Sequence, residues 1–472
     1  MRTLLLNPPS FKGFDGSAGS RYQACREVRS FWYPTWLAYP AGMIGEARLL
    51  DASAEGMSRE ETIREAGGYE LVIIHTGTAT FEHDAALAGA IKDGYPQMMV
   101  GMVGPHVTVF PEESLLKAPA VDFAAVGEFD DTVVEIARGK ALPDVRGIVF
   151  RRQGSVHRTA QRPLIDDLDR LPFVTSVYAR DLHIENYYIG YLRHPYVSVY
   201  AGRGCRGRCT YCLWPQTIGG GVYRVRSADN IYEEMSLAKK LFPQVKEFFF
   251  DDDTFTDHPR LEEVARKVGT LGITWSCNAR ANLSKKTLHV LKENGLRLLT
   301  VGFESGNQKI LTNVRKGISP EGARKFSKAA KEAGILIHGT FILGLPGETR
   351  ETIEETVRFA REIDPYSIQV SLAAPYPGTA LYEEARREGW LTGDGSGLVT
   401  DGIQNSVISY PWLSSEEIFE AVERFYRRFY LRPTPILRIL KEMIGDRHEF
   451  TRRIREGREF FSFMAKRKAA LS

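Results

Sequence analysis

The stretch "YVSVYAGRGCRGRCTYCLWPQ", residues 196–216, places three cysteines within eight residues, directly after an alternating apolar run that is typical of a β-strand. They are Cys205, Cys209 and Cys212, three of only five cysteines in the 472-residue chain. An odd, clustered set favours reduced thiolates over a disulfide framework. Three thiolates can bind three corners of a small metal cluster, whereas a closed tetrahedral zinc site takes four ligands. A four-iron cluster here would leave one iron open to a substrate or cofactor.

Six strand-and-helix units begin with this stretch and predict a partial or full β/α barrel over residues 196–396. The chemistry of such barrels lies at the carboxyl ends of the strands, so the residues just after each strand are the candidate site. The predicted strands are Val197–Tyr200, Glu247–Phe250, Thr274–Cys277, Leu298–Phe303, Leu336–Leu343 and Ser367–Leu372.

The residues before the barrel predict a separate α/β domain. From residue 1 to about 140, short apolar runs alternate with helical patterns, which favours a doubly wound, Rossmann-like parallel sheet. We interpret residues 141–195, with a hairpin predicted in "GIVFRRQGSVHRT", as a connecting segment. Ligands of doubly wound sheets bind at the carboxyl ends of the strands. The candidate residues there are Thr76, Thr78, Gly104 and His106.

The C-terminal region, residues 397–472, has a helical, aromatic and locally basic sequence, with Pro433 and Pro435 predicted to interrupt it. Aromatic residues at helical spacing usually belong to a core, so we expect a packed helical cap. The alternative is a surface helix that contacts anionic lipid.

The composition predicts an ordinary cytoplasmic protein. Lys and Arg exceed Asp and Glu by three, which gives no global case for a nucleic-acid partner. No apolar run reaches the ~18 residues of a membrane span, and "MRTLLLNPPSFKGF" is too short in its apolar part for a secretory signal. Peripheral membrane association is kept as an alternative to a purely cytoplasmic location.

The cysteine spacing, with Tyr211 just before the third cysteine, closely resembles the radical S-adenosylmethionine (SAM) enzymes. "FFFDDDTF", "VGFESG", "GTFILGLPGET" and "AAPYPGTALY" continue the likeness at the predicted strand ends. The resemblance implies a [4Fe-4S] cluster whose open iron binds SAM, and a 5'-deoxyadenosyl radical that abstracts hydrogen from a substrate. It also implies a flavodoxin or ferredoxin-type electron donor. The implied SAM-binding residues are Tyr211, Glu304, Ser305, Gly344, Gln369 and Ala374, and Asp252 is the catalytic candidate among Asp251, Asp252 and Asp253.

The front domain resembles the cobalamin-binding branch of the same enzymes, through "LLLNPP", "GPHVTVFPEE" and "AVGEFDDTVVEI". The Asp-x-His-x-x-Gly motif that supplies a histidine to cobalt in other cobalamin proteins is missing from the sequence. Cobalamin is therefore the expected cofactor, bound without that histidine. The alternative is a domain that keeps the fold and has lost the cofactor.

A narrower likeness rests on "CLWPQT" and "WSCNARAN", which resemble the hopanoid-biosynthesis subgroup that forms bacteriohopanetetrol cyclitol ether. It implies an amphiphilic hopanoid glycolipid substrate, whose glucosamine ring contracts to an aminocyclopentitol. Two rival hypotheses stay open: a cobalamin-dependent methyltransferase acting on another lipid or natural product, and a non-catalytic iron-sulfur or zinc protein. Candidates for steering or quenching a substrate radical are Cys277, His338, Gln369 and Tyr376.

Overall fold

The computed structural model describes residues 1–11, 24–393, 397–400, 402–445 and 447–469. Its first sheet has seven strands in the order β2-β1-β3-β4-β5-β6-β7. The first five are parallel, and the last two add an antiparallel hairpin. The strands are β1 (Thr3–Asn7), β2 (Ala47–Asp51), β3 (Leu71–His75), β4 (Met99–Val103), β5 (Phe123–Ala125), β6 (Ile148–Arg152) and β7 (Ser155–Arg158).

Helices cover both faces of this sheet, which explains why its central strands are continuous apolar runs rather than alternating ones. The predicted hairpin is present, but it belongs to the sheet rather than to a free connecting segment, because Phe123 pairs with Phe150. The helices up to the barrel are α1 (Thr35–Met43), α2 (Arg59–Ala66), α3 (Phe81–Gly94), α4 (Pro105–Val109), α5 (Pro111–Lys117), α6 (Asp130–Ala137) and α7 (Val174–Asp181).

The second large sheet is the predicted partial barrel. Its six strands are all parallel and lie in chain order, and β8 and β15 form its edges. The strands are β8 (Tyr196–Val199), β11 (Glu247–Phe250), β12 (Trp275–Ala279), β13 (Leu296–Glu304), β14 (Leu336–Leu343) and β15 (Ser367–Leu372); the small hairpin β9 (Gly202–Arg203) and β10 (Arg224–Val225) follows β8. The helices are α8 (Leu213–Thr217), α9 (Ala228–Leu241), α10 (Leu261–Gly269), α11 (Lys285–Glu293), α12 (Gln308–Asn313), α13 (Pro320–Glu332), α14 (Arg350–Ile363) and α15 (Ala380–Arg387).

The two faces of the barrel sheet differ in polarity. On the face that packs against the helices, Phe303 contacts Phe359 of α14. On the other face, Asn278, Thr300 and His338 stand side by side in register on neighbouring strands. The polar face lines the interior of the partial barrel, where a substrate can be held away from water.

The C-terminal region begins with a short hairpin, β16 (Val399–Thr400) and β17 (Ile403–Gln404), before its helices α16 (Ser415–Tyr430), α17 (Pro433–Gly445) and α18 (Arg447–Ala469). Helix α16 packs on the barrel, with the ring centroids of Phe425 and Phe341 5.2 Å apart. The predicted interruption is present at Pro433, because α16 ends at Tyr430 and Pro433 begins α17, as expected for a residue without a backbone N–H at the first helical position; Pro435 lies within the first turn of α17. Within the described ranges, no helix combines the length and the apolar content of a membrane span.

Candidate cluster and cofactor site

The cysteine loop runs from the end of β9 to the start of α8, where Cys212 is the residue before the helix. The backbone N–H of Gly207 donates to Cys205 Sγ at 3.3 Å. A Cβ atom on Gly207 would lie 3.2 Å from Cys205 Sγ and 3.8 Å from Cys209 Sγ, so both sulfurs flank this glycine. Gln216 closes the loop, because its Nε2 donates to the carbonyl oxygens of Cys209 and Cys212.

The three thiols are not arranged as ligands of one ion. In the described part of the chain, no group of three or more His, Cys, Asp or Glu side chains is placed to hold a single metal ion. Burial raises the pKa of the Cys205 and Cys212 thiols, and the nearby carboxylate of Asp253 raises both further.

A buried ion network anchors the loop in the N-terminal domain. Arg203, two residues before the first cysteine, donates two hydrogen bonds of 2.8 and 2.9 Å to Asp130 and one of 3.1 Å to Glu128. Arg224 also pairs with Glu128, at 2.9 Å. The Arg203 guanidinium lies 4.7 Å from the ring centroid of Trp36, and the side chain is 1% exposed. Since every charge in the network has a partner, the start of the cysteine loop at Arg203 is held against the start of α6.

Asp251 and Asp252, which follow β11, point in different directions. Asp251 accepts a hydrogen bond from Asn278 on the polar face of the sheet. Asp252, the catalytic candidate, instead accepts from Ala201 N and Tyr223 Oη, and burial raises its pKa to about 7. Its carboxyl therefore binds the turn after β8 instead of facing the barrel interior, which argues against the predicted catalytic role of Asp252. The cause is the alternation of side chains along an extended chain, which puts Asp252 on the face opposite to Asp251.

The end of β13 holds Glu304 in a strained conformation, with a φ of 61° and a register shift at Gly302. Glu304 is 5% exposed, and its carboxylate accepts a 2.6 Å hydrogen bond from Lys316 Nζ. Lys316 also lies 3.3 Å from Tyr211 Oη. Burial acts to lower the pKa of Lys316, but Glu304 and Cys209 outweigh it and raise that pKa. A charged lysine thus lies between the cysteine loop and the predicted SAM-binding glutamate.

Ser305 does not share the placement of Glu304. Its hydroxyl lies 3.1 Å from Thr356 Oγ1 on α14 and accepts from Asn307 N. The side chain is 1% exposed and belongs to the packing between β13 and α14. The predicted contact between Ser305 and SAM is therefore wrong for the hydroxyl as the structure places it.

The loop after β14 has Gly344 in the left-handed region, with a φ of 87°. Its N–H donates to Glu348, and its carbonyl accepts from Tyr410 Oη at 2.9 Å. A side chain on Gly344 would collide with Ile418, so only glycine fits. Nearby, Tyr376 packs with Leu398 and Val407, and Ala374 and Leu213 lie against this small apolar cluster, next to the cysteine loop.

Cys277 is not on the interior face. It is in register with Leu299, which alternates onto the same face as Phe303 and so faces the helices. The thiol is fully buried, and burial raises its pKa well above the ordinary value. The expectation that Cys277 points into the barrel is wrong, because a strand end does not by itself reveal which face a residue takes.

His338 does lie on the interior face, where its ring stacks on Tyr191 with centroids 4.0 Å apart. Its Nδ1 is 2.8 Å from Ser367 Oγ, its buried Nε2 has no hydrogen-bond partner, and burial lowers its pKa to about 3. The histidine is therefore neutral at physiological pH. With Gln369 it borders a cavity of about 720 Å³ that is walled by aromatic and aliphatic side chains of the C-terminal helices.

The carboxyl edge of the first sheet faces the cysteine loop. His75, at the end of β3, is buried with both ring nitrogens unpaired, and its ring centroid is 6.5 Å from that of Trp214 on α8. A Cβ atom on Gly104 would lie 2.3 Å from Thr76 O. The His106 ring stacks on Phe81 at 4.2 Å. Thr76 is buried, and Thr78 is partly exposed. The predicted residues Thr76, Gly104 and His106 thus belong to this edge.

The unpaired buried nitrogens of His75 fit a polar ligand at this edge, whereas Gly104 is required by the close approach of the Thr76 backbone. One part of the junction is closed, however. Trp36 and Trp214 stack with centroids 5.4 Å apart, and with Asp252 they border a cavity of about 10 Å³, far too small for a corrin ring. A corrin ring therefore does not fit the space between the two tryptophans, and the residues that would face it at this edge are those around His75.

Comparison with known proteins agrees with this arrangement. Residues 199–360 match the radical SAM superfamily, and residues 24–137 match the B12 binding domain. The chain combines a B12-binding domain with a radical SAM domain. Its cofactors are accordingly a [4Fe-4S] cluster, SAM and cobalamin.

Relatives cover nearly the whole chain. An uncharacterized methyltransferase of Pyrococcus horikoshii is 29% identical over 94% of this chain and 96% of its own length. The anaerobic magnesium-protoporphyrin IX monomethyl ester cyclase of Rubrivivax gelatinosus is 26% identical over 81% of this chain and 70% of its own. The fold is that of the radical SAM methyltransferase TsrM from Kitasatospora setae, solved with cobalamin and a [4Fe-4S] cluster, with a TM-score of 0.67, 15% identity and coverage of 98% and 99%.

Sequence reasoning missed Lys316, Gln216 and Arg203. Lys316 follows the fourth barrel strand by twelve residues and belongs to no motif. Gln216 belongs to "CLWPQT", which indicates the family resemblance but does not reveal that the Gln216 side chain donates to carbonyl oxygens of the cysteine loop. Arg203 could have been suspected from its place directly before the cysteines, but its acidic partners lie in another domain.

Proposed function

We propose that this radical SAM enzyme uses its B12 domain to transfer a methyl group to an unactivated carbon of a largely apolar substrate. The observation that carries the proposal is the junction of the two domains. There the root of the cysteine loop is bound to Asp130 and Glu128, and Trp214 of α8 lies beside His75. The two cofactor-binding parts thus lie against each other, as a reaction that needs both cofactors requires.

Each group of residues has a proposed part. Cys205, Cys209 and Cys212 hold the cluster, which when bound supplies the electron that splits the carbon–sulfur bond of SAM. Glu304, which is paired with Lys316 Nζ at 2.6 Å, accepts hydrogen bonds from the amine or the ribose hydroxyls of SAM. The polar interior face orients the substrate, and the surrounding helices exclude water that would quench a radical.

The relatives favour methyl transfer. The Pyrococcus relative that spans almost the whole chain is named a methyltransferase, and TsrM, one of the solved structures with this fold, is named one too. The Rubrivivax relative is named a cyclase, so relatives at this distance include more than one reaction. Reaction type is therefore proposed from the two-domain junction and the relatives together, and the fold alone does not assign it.

Ring contraction of a hopanoid glycolipid is the second candidate. The large cavity beside His338 favours it, because its volume of about 720 Å³ and its mostly apolar wall suit a bulky amphiphile. His338 Nε2 and Gln369 would then contact the sugar, and the apolar wall would contact the triterpenoid. The proposed donor of electrons in either reaction is a flavodoxin or ferredoxin.

Product analysis separates the candidates. The anaerobically reconstituted protein is incubated with dithionite, SAM carrying a labelled methyl group, and lipid extracted from a hopanoid-producing bacterium. Methyl transfer to an unactivated carbon yields S-adenosylhomocysteine from one SAM, 5'-deoxyadenosine and methionine from a second SAM that takes up the displaced hydrogen, and a labelled lipid that has gained one CH₂. Ring contraction yields 5'-deoxyadenosine without S-adenosylhomocysteine, and a lipid of unchanged mass, because the two sugars are isomers. An unlabelled, unaltered lipid pool beside active SAM cleavage would overturn both substrate proposals and leave radical SAM chemistry standing.

A further inference from the structure

Helix α17 turns its apolar face outward. Ile436, Leu437, Leu440 and Ile444 are 42%, 64%, 47% and 87% exposed, and their spacing places them on one face of the helix. The opposite face makes the protein contacts. There Arg438 pairs with Asp364 at 2.6 Å, and Glu442 pairs with Arg453 at 2.6 Å. An ordinary surface helix buries the apolar face and exposes the charged one, so α17 has the reverse orientation.

The outward apolar residues form one patch with their neighbours. Elsewhere in the described ranges, large exposed hydrophobic residues occur singly, for example Leu116 and Val222. Isolated exposed hydrophobic residues need no explanation, but a contiguous group marks a surface that is covered in use. The patch, called the α17 patch below, also includes Leu431 and Phe461, which border the same cavity as Ile436.

The α17 patch reaches the rim of the large cavity. Leu431, Ile436 and Phe461 are more than 40% exposed and also line the cavity that contains His338 and Gln369. An apolar path therefore runs from the outer surface to the polar interior face of the barrel. A molecule that enters from the patch would pass its apolar part along this wall and its polar end toward His338.

The charge around the patch is strongly positive. From Arg424 to Lys468 the sequence has fourteen Lys and Arg against five Asp and Glu, although the whole chain carries a net charge of only +3. Exposed cations near the patch include Arg427, Lys441 and Arg458. Basic residues beside an exposed apolar helix face are the pattern that binds anionic lipid. A second copy of this chain is the poorer partner, because it would bring two basic surfaces together.

We propose that the α17 patch docks on an anionic phospholipid bilayer, from which an amphiphilic substrate enters the cavity. The docking stands independently of the chemistry. Only the identification of the cavity's occupant as a substrate rests on the proposed function. The patch lies flat on the membrane surface, since no described helix is fit to span it.

The test is co-sedimentation of the full-length protein with vesicles of phosphatidylcholine, alone or mixed with phosphatidylglycerol. The wild-type protein should bind the mixed vesicles, and the double variant Leu437→Glu/Ile444→Glu should bind about tenfold more weakly or worse. Both side chains are mostly exposed and lie outside the cavity wall, so the fold should be unaffected. Leu116→Glu, a change at an equally exposed leucine of α5, should bind like the wild type.

Unchanged vesicle binding by the double variant would overturn the proposal. If light scattering also showed a change in the molecular mass of that variant, the patch would instead be an interface between copies of the chain. SAM cleavage in vesicle-free buffer, measured on the same samples, should be equal in all three proteins. A loss of cleavage in the wild type would count against the proposed function and not against docking.

Discussion

The ion pair between Lys316 and Glu304 is the contact that keeps a charge buried beside the cysteine loop. Lys316→Met would leave a carboxylate that is 5% exposed without its cation. We expect the free energy of unfolding to fall by about 3 kcal/mol, because a lone buried charge is costly. SAM binding should weaken as well. Chemical denaturation and equilibrium dialysis measure the two effects.

Lys325→Met is the matched control for this change. Lys325 forms a 2.6 Å pair with Glu321, but both side chains are about three-quarters exposed. Water and salt screen such a pair, so its loss should have a much smaller effect on stability and none on SAM binding. Equal losses of unfolding free energy and of SAM binding in the two variants would contradict the expectation that the buried Lys316 pair contributes more than an exposed one.

Single residues show what sequence reasoning could reach. The three cysteines are predicted as one group because they are close in sequence, and the Cys205 and Cys209 sulfurs flank Gly207. Cys277 was placed on the wrong face, since its orientation depends on the register with Leu299. Lys316 was missed because its partner is defined only by the bulge and the strained φ at Glu304.

At the scale of elements, the loop between β14 and α14 depends on a protonated Glu348. Burial raises the pKa of this carboxyl to about 8, above its ordinary value of 4.5. The folded chain therefore keeps a proton that the unfolded chain releases, and rising pH favours unfolding. Glu348 lowers stability by up to about 1.4 kcal/mol per pH unit between pH ~4.5 and ~8, and adds no slope above that.

Glu348→Gln should remove this slope, because glutamine resembles the protonated acid and can still accept from Gly344 N. Other buried carboxyls with raised pKa values, such as Asp84 and Asp252, titrate in the same range. The quantity to measure is therefore the difference in unfolding free energy between variant and wild type from pH 5 to 8.5. Glu351→Gln, at an exposed position on α14, should leave the slope unchanged. If the unfolding free energies of Glu348→Gln and the wild type changed in parallel with pH, the result would contradict a protonated Glu348 in the folded chain.

Most elements were predictable from periodicity and turn residues. Leu336–Leu343 and Ser367–Leu372 are strands with the predicted bounds, whereas β13 extends to Leu296–Glu304. Its extra residue at the carboxyl end is Glu304 itself, where a bulge continues the strand beyond the regular pattern. The orientation of α17 was not predictable, because a helical pattern specifies two faces and not which of them meets the protein.

At the scale of the whole molecule, Arg203 connects the two domains, because it precedes the cysteine loop and binds Asp130 and Glu128 of the B12 domain. Asp130→Asn would remove the carboxylate that receives two of its hydrogen bonds in a fully buried site. We expect a loss of about 3–5 kcal/mol in unfolding free energy. We also expect fewer irons per chain after reconstitution, although no cysteine is altered.

Asp131→Asn, one residue along, provides the control. Asp131 pairs with Arg170 at 2.6 Å on the surface, where the side chains are 29% and 40% exposed. Its loss should cost less than about 1 kcal/mol and leave iron content unchanged. Normal iron content in Asp130→Asn would contradict the coupling between the B12 domain and the cysteine loop. This coupling was beyond sequence reasoning, since Asp130 and Arg203 are joined only by the packing of two separate sheets.

The most direct test of the account is the iron and sulfide content of the anaerobically reconstituted protein, measured together with 5'-deoxyadenosine formed from SAM under dithionite. The wild type should hold about four irons and four sulfides per chain and cleave SAM. Cys212→Ala should lose both properties, whereas Cys277→Ala should keep the full cluster because its thiol faces the helices. A single bound metal ion per chain, or a fully loaded cluster that leaves SAM intact, would contradict the account.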